Sequence, residues 1–468
     1  MSRTAAIPES LQARELLLAP ERVLLRDGPA RDHAVHVVDG RFAAVGPRDE
    51  LTRRLPKLPV TELPGRLLMP GFIDAHHHLT QSFGKSLAYG EPSEIFRRVW
   101  VPLESSLGED FVHVGAKLAA LESLRGGFTT ICDAGTRASG AIDAIASAVE
   151  SAGLRCVLGL TCNDVTASDT ERDRIVTAAE QFLARPRGDG LVHPSLAISV
   201  PEAGSDAMLQ KVSALCGEAG AIFQTHVNEH LASVERSVVA RGLRPLELLS
   251  SLGALGPQVL IAHATLVTPS ELAILRDTDT AVAYNPVASM WKGNAVAPAL
   301  AMATLGIRFG LGTDSTRSDA FRLVDAAEAA QKLAFALPIG DASCGAGWTW
   351  LDHATTDGAA ACGLGGITGE IAPGLAADFL LVDIDVPEMC TTVDLTWDLV
   401  RIAGRDQIEA VFVAGRMRLW QGWPVDWDAR ALMREVAAVA GRAIAEAPIQ
   451  RLHLPAAEHR RRAMSVRH

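Results

Sequence analysis

The 468-residue chain predicts an α/β fold: a (β/α)8 TIM-like barrel with a small composite β-sandwich domain built from both chain ends. Three observations lead there. Eight short apolar runs alternate with Ala- and Leu-rich stretches of helical spacing through the middle of the chain, the pattern of parallel strands joined by crossover helices. Both flanks instead carry short alternating segments cut by turns such as Asp27-Gly28, Asp39-Gly40 and Gly46-Pro47, which read as a small antiparallel sheet. The length and a 48% hydrophobic content suffice for one barrel-sized domain and a smaller partner.

Residues 1–65 open the small sheet domain, with alternating segments at 22–25, 33–38 and 41–45. Residues 66–375 form the barrel, whose strands are expected at 68–75, 129–134, 155–160, 196–200, 222–226, 259–263, 281–285 and 307–313. Helical spacing between them is clearest at 111–124, 142–152 and 207–219. Residues 376–427 return to the sheet domain through 377–382 and 410–415. Residues 428–468 supply a helix over 428–447 and a loosely held tail.

Composition excludes several classes of function. Lys plus Arg number 44 against 55 Asp plus Glu, a formal charge of -11, which argues against a nucleic-acid partner. The basic cluster His459 to Arg462 reads as a solvated tail. No apolar run reaches membrane-spanning length and the first twenty residues lack a secretory core, so a cytoplasmic protein with no membrane partner is expected. Seven scattered cysteines, never spaced Cys-x-x-Cys, read as reduced packing residues. A homo-oligomer stays open.

The chemistry concentrates at strand ends. In Met69-Pro70-Gly71-Phe72-Ile73-Asp74-Ala75-His76-His77-His78 an apolar strand ends on three histidines, and strand alternation points His76 and His78 the same way. Alone, the triplet leaves open a metal-binding pair or a polar strand end with incidental histidines. His226 ends the fifth run, His263 the sixth and Asp314 the eighth, so residues able to bind metal gather at the face where barrel enzymes keep their chemistry.

These residues resemble the amidohydrolase superfamily, and within it the aminohydrolase and chlorohydrolase branch. The likeness runs from residue 20 to 420 and includes Gly312-Thr313-Asp314 and the late segment Gly369-Glu370-Ile371-Ala372-Pro373-Gly374-Leu375-Ala376-Ala377-Asp378. The resemblance implies that His76, His78, His226 and Asp314 hold one divalent metal ion, zinc with iron(II) as the alternative. It places His263 beside substrate, makes Glu229 the proton shuttle and sets Gln81 against the substrate ring. The bridging lysine of two-metal relatives is absent from the fourth run, where Glu202 is the only carboxylate and reads as a loop residue.

The implied activity is hydrolytic deamination of an amino-substituted nitrogen heterocycle such as a purine, pterin or pyrimidine. A bound divalent ion lowers the pKa of water from about 15.7 toward about 7, so attack is feasible at neutral pH. Asp314 then orients or accepts a water proton, Glu229 delivers one to the ring and His263 stabilises the developing charge. Trp291 and Lys292, with Arg317, Asp319 and Arg322 after the eighth strand, are candidates to line the mouth; Trp291 and Arg317 join Gln81 as expected substrate contacts. A cyclic amide hydrolase or ring dehalogenase is the alternative on the same scaffold.

More distant readings fare worse. His226-Val227-Asn228-Glu229-His230 fits the His-x-x-Glu-His of inverted zinc proteases, but that reading needs a helix where 221–225 looks like strand. Deaminases of the cytidine type need Pro-Cys-x-x-Cys, which is absent. A binding protein on an inactive barrel is expected to lack a ligand or Glu229, and none is missing.

Overall fold

The computed structural model describes residues 6–92, 94–186, 190–336, 340 and 347–465. The middle of the chain forms eight parallel strands in strict chain order: Phe72–His77, Phe128–Asp133, Arg155–Thr161, Val192–Ala197, Phe223–Val227, Val259–His263, Ala281–Tyr284 and Phe309–Leu311. The eighth lies beside the first, and the Asp314 N–H donates to the His76 carbonyl at 2.9 Å, so the sheet curls into a nearly closed barrel. Helices Glu109–Arg125, Ile142–Ala152 and Asp206–Ala219 fill crossovers where helical spacing predicts them. Strands such as Phe128–Asp133 are buried at every residue, which explains why they read as continuous apolar runs.

Three barrel strands depart from expectation. The run at 68–75 is two strands rather than one: Val60–Pro70 belongs to the outer sheet and Phe72–His77 to the barrel. Gly71 makes the switch, and a Cβ there would overlap the Thr129 side chain. The fourth strand is Val192–Ala197 rather than 196–200, because Pro194 and His193 disguise its start. The eighth is only Phe309–Leu311, shorter than 307–313.

Among the described residues the outer sheet has nine strands, and its centre joins the two flanks of the barrel. Val60–Pro70 pairs antiparallel with Phe379–Asp383, from Pro70 opposite Phe379 to Arg66 opposite Asp383. The expectation of a purely antiparallel sheet fails on its other side, where Leu16–Leu25 runs parallel to Val60–Pro70. A parallel pair needs a crossover, supplied by the hairpin of His33–Val38 and Arg41–Pro47 and the helix Arg48–Arg54. Alternation then serves two cores: Leu67, Met69, Leu380 and Val382 pack toward the barrel. Leu68, Phe379, Leu381 and Phe412 pack within the sheet domain, where Phe379 stacks on Phe412 at 4.3 Å.

Helix Ala429–Glu446 follows as predicted. The tail beyond it is not loose: the backbone N–H groups of Leu452 and His453 donate to Glu91 at 2.9 and 3.0 Å. Five cysteines are buried and Cys390 is exposed, while Cys344 lies outside the described residues. Among the described residues no helix is long and apolar enough to cross a membrane.

Candidate active site

The predicted ligands all stand at or just past C-terminal strand ends, and three of those ends use left-handed backbone. Asn228, His263 and Asp314 have φ of 53°, 76° and 53°, a region that side chains with a Cβ avoid. Such outliers persist only where surrounding packing overdetermines them, and here each lies within one residue of a site side chain. Close packing does the same for the first strand. A Cβ on Gly312 would overlap the Asn285 side chain and come within 3.0 Å of the His76 backbone nitrogen, so the eighth strand presses directly on the first.

Alternation places His76 and His78 together, with ring centres 4.8 Å apart, and His226 sits 4.7 Å from His76. His77 points away and is fully buried, its Nδ1 3.0 Å from Asp74 Oδ2 and 3.2 Å from Thr313 Oγ1. Asp74 also accepts from the Thr313 hydroxyl at 2.5 Å and the Thr313 N–H at 2.8 Å. That buried carboxylate therefore fastens the first strand to the eighth between their site residues.

The donor atoms of His76, His226, His263 and Asp314 all lie within 4.8 Å of one another. His78 joins them, its Nε2 3.4 Å from Asp314 Oδ1 and 3.3 Å from His226 Nε2. Five residues thus converge, one more than the four ligands inferred from sequence. Burial lowers the pKa of His76 and His226 and pushes His263 down to about 3, so these imidazoles are neutral at pH 7. Burial opposes ionisation of Asp314, but Lys292 and the nearby imidazoles of His76 and His78, each with Nε2 3.4 Å from Oδ1, hold its carboxyl well below the usual range. Nε2 of His76 and of His263 are buried without a hydrogen-bond partner. Neutral nitrogens, one carboxylate and the orphaned Nε2 of His76 suit a divalent ion such as zinc or iron(II).

Tautomers separate His226 from His263. The Ser199 carbonyl accepts from His226 Nδ1 at 2.6 Å, which leaves the Nε2 lone pair facing the cluster, as a metal ligand requires. Asn285 Nδ2 donates to His263 Nδ1 at 3.2 Å, so the proton of that ring sits on Nε2. His263 therefore offers the site a donor rather than a lone pair. Asn285→Asp reverses this tautomer, and we expect it to keep bound metal while kcat falls about 100-fold or more, checked by metal analysis beside steady-state kinetics.

Glu229 stands at the edge of the cluster, Oε2 3.6 Å from His263 Nε2 and Oε1 3.1 Å from His230 Nε2. Lys292, which sequence reasoning placed only at the mouth, reaches inward to Glu229 Oε1 at 2.9 Å and Asp314 Oδ2 at 2.6 Å. Burial opposes both charges, yet His263, Lys292 and His230 hold the Glu229 carboxyl well below its usual range. Asp314 and Glu229 likewise outweigh burial and raise the pKa of Lys292. His226 lies in a strand, which removes the helical geometry an inverted zinc protease requires.

Two connected chambers open above the cluster. One is polar, lined by Glu94, Arg97, Glu202 and Arg236; the other, of about 450 Å³, is lined by Tyr89, Trp100 and Trp291. Gln81 borders both and donates to buried Glu104 at 3.3 Å. Trp291 meets Tyr89 edge to face at 5.1 Å. Arg317 pairs with Asp319 at 3.1 Å, its side chain 46% exposed, and borders an adjoining depression that shares Lys85, Tyr89, Trp291 and Thr316 with the larger chamber. Sequence reasoning missed Asp74, Ser199, Asn285 and the charged lining of the polar chamber, and kept Glu202 as a mere loop residue. Only Asp74, a charge inside an apolar strand, carried a signal.

A C-terminal barrel mouth that gathers neutral imidazoles around one carboxylate defines a metal-dependent barrel hydrolase. The chain belongs to the amidohydrolase family, whose profile matches residues 67–418, and it is a hydrolase acting on C–N bonds other than peptide bonds. It is 30% identical over 411 residues to the 5-methylthioadenosine/S-adenosylhomocysteine deaminase of Nitratidesulfovibrio vulgaris, covering 86% of this chain and 91% of that one. It is 28% identical over 427 residues to the 5'-deoxyadenosine deaminase of Methanothermobacter thermautotrophicus, covering 87% and 93%. Among solved structures, a zinc-bound adenosine deaminase from Xanthomonas campestris superposes with a TM-score of 0.83 at 26% identity, over 92% of this chain and 98% of that one. Atrazine chlorohydrolase from Arthrobacter aurescens shares the fold at a TM-score of 0.77 and 21% identity, over 91% of this chain and 99% of that one.

Proposed function

We propose that the protein deaminates the adenine ring of an adenosine-type nucleoside altered at its 5' position, with water replacing the exocyclic amine and ammonia leaving. The observation that carries this reading is an ionised Glu229 set beside a proton-bearing His263 and the anionic Asp314 at one cluster of neutral imidazoles. The relatives named above as acting on such nucleosides support the choice of ring.

His76, His78, His226 and Asp314 would hold one divalent ion, zinc or iron(II), which supplies Lewis acidity that makes water nucleophilic near neutral pH. The remaining steps belong to the side chains. Because Glu229 is ionised at rest, its first act is to accept a proton from the attacking water, which it then delivers to the ring nitrogen next to the carbon under attack. The Nε2–H of His263 donates to the oxygen as charge develops on it. Asp314 takes the second water proton and passes it to the departing amine, so that one water enters and one ammonia leaves. Gln81 orients the ring from the chamber wall, and Trp291 and Trp100 offer apolar faces for it.

Ammonia release measured across a panel tests the reading. The panel holds adenosine, 5'-deoxyadenosine, 5'-methylthioadenosine, guanine and an aminopterin ring, with a cyclic amide and a chlorotriazine as counter-substrates. The expected result is the highest kcat/KM on a 5'-altered adenosine. Opening of the cyclic amide, or chloride release, with no ammonia from any amine overturns it.

A further inference from the structure

The loop between the first barrel strand and helix Glu109–Arg125 supplies much of the substrate site, including Gln81, Tyr89, Ile95, Arg97 and Trp100. In the middle of that loop Glu91 has a side chain with no exposure at all. A carboxylate out of water needs donors, and Glu91 takes most of its own from the far end of the chain. Arg451 Nε donates at 3.2 Å and the N–H groups of Leu452 and His453 at 2.9 and 3.0 Å, while Arg98 of the same loop adds a fourth donor at 2.8 Å. Arg98 is drawn in as well, its guanidinium donating to the Gln450 carbonyl at 3.1 Å and its carbonyl accepting from the Gln450 N–H at 2.9 Å. Gly90, at φ +77°, packs on the His453 ring, and a Cβ there would come within 2.6 Å of it.

The loop is fastened on its inner side too. Glu94 pairs with Arg236, which also holds Glu202 at 3.0 Å, so the polar chamber wall is a network running from the loop to helix Leu231–Arg241. The clasps at Glu91 and Glu94 thus sit in the middle of the lining, between Gln81 and Tyr89 before them and Ile95 and Trp100 after them. We propose that Glu91 is a positioning residue of the substrate site, and that residues 450–453 form a strap through which the chain's C-terminal end sets how tightly the loop holds substrate. Only the choice of substrate for the kinetic arm rests on the reading given above.

Burial opposes the charge on Glu91, but its four donors hold the carboxyl down to about 2. A depressed folded-state pKa gives a contribution that is present above the ordinary value of 4.5 and fades as pH falls toward about 2, so the strap stays closed through mildly acidic conditions.

The test uses the full-length protein and two substitutions, Glu91→Gln and Arg451→Ala, singly and together. The second removes one partly exposed donor and leaves the fold's cores untouched. Amide hydrogen exchange is expected to rise in 94–100 as well as in 449–453, and KM to rise about 10-fold for Glu91→Gln while kcat stays within about twofold. The double variant is expected to add less than the sum of the two, as residues of one network do. Faster exchange confined to 449–453, or an unmoved KM, overturns the proposal. If the wild-type enzyme turns over no member of the panel, the deaminase reading fails by itself, and exchange in 94–100 still decides the strap.

Discussion

Glu229→Gln is expected to keep the bound metal and lose turnover by about 100-fold or more, the range that a positioned acid-base group contributes. The amide has the carboxylate's shape and still accepts from Lys292 and His230, so the chamber wall is preserved. What it lacks is the capacity to take a proton from water and hand it on. Glu229 does not belong to the four-residue group whose donor atoms lie within 4.8 Å of one another, so removing its charge leaves the ligand set intact. Metal content per chain measured beside kcat separates the roles. Loss of metal would make Glu229 a ligand and overturn its assignment as proton carrier.

The second large effect contrasts two adjacent histidines. His76→Ala is expected to abolish metal binding and with it activity, because Nε2 of His76 is a buried nitrogen without a hydrogen-bond partner inside the cluster. His77→Ala is expected to retain the metal and cost stability instead, about 1–3 kcal/mol for the donor that buried Asp74 loses. Metal analysis and thermal unfolding with metal present distinguish the two. Equal metal loss in both variants would refute the alternation argument.

Much of this site was legible in the sequence, for a physical reason. Strand alternation fixes which histidines share a face, and a parallel barrel carries every strand end to one mouth, so His76, His78, His226, His263 and Asp314 follow from spacing and topology together. Periodicity fails where its signal is interrupted. Pro194 hid the start of the fourth strand, and a continuous apolar run hid the change of sheet at Gly71. The charged chamber was invisible for another reason. Glu94, Glu202 and Arg236 come from segments far apart in sequence, and no local pattern announces that a loop, a short turn and a helix will meet. Lys292 and Arg317 show the same limit from opposite sides. Both flank strand ends, yet Lys292 reaches Glu229 and Asp314 while Arg317 pairs with Asp319.

The central pairing of the outer sheet has a consequence for how the protein is made. Val60–Pro70 finds its antiparallel neighbour in Phe379–Asp383, so during synthesis that edge waits while the whole barrel emerges, roughly 15–60 s at about 5–20 residues per second. A strand rich in Leu67, Leu68 and Met69, with only its Leu16–Leu25 side available for pairing, leaves its other edge open to wrong partners throughout that interval. Its closure is a contact between residues more than three hundred apart, which makes it among the slower steps of folding. The nascent chain is therefore expected to be most prone to aggregation, and most dependent on chaperones, just before residue 379 is released.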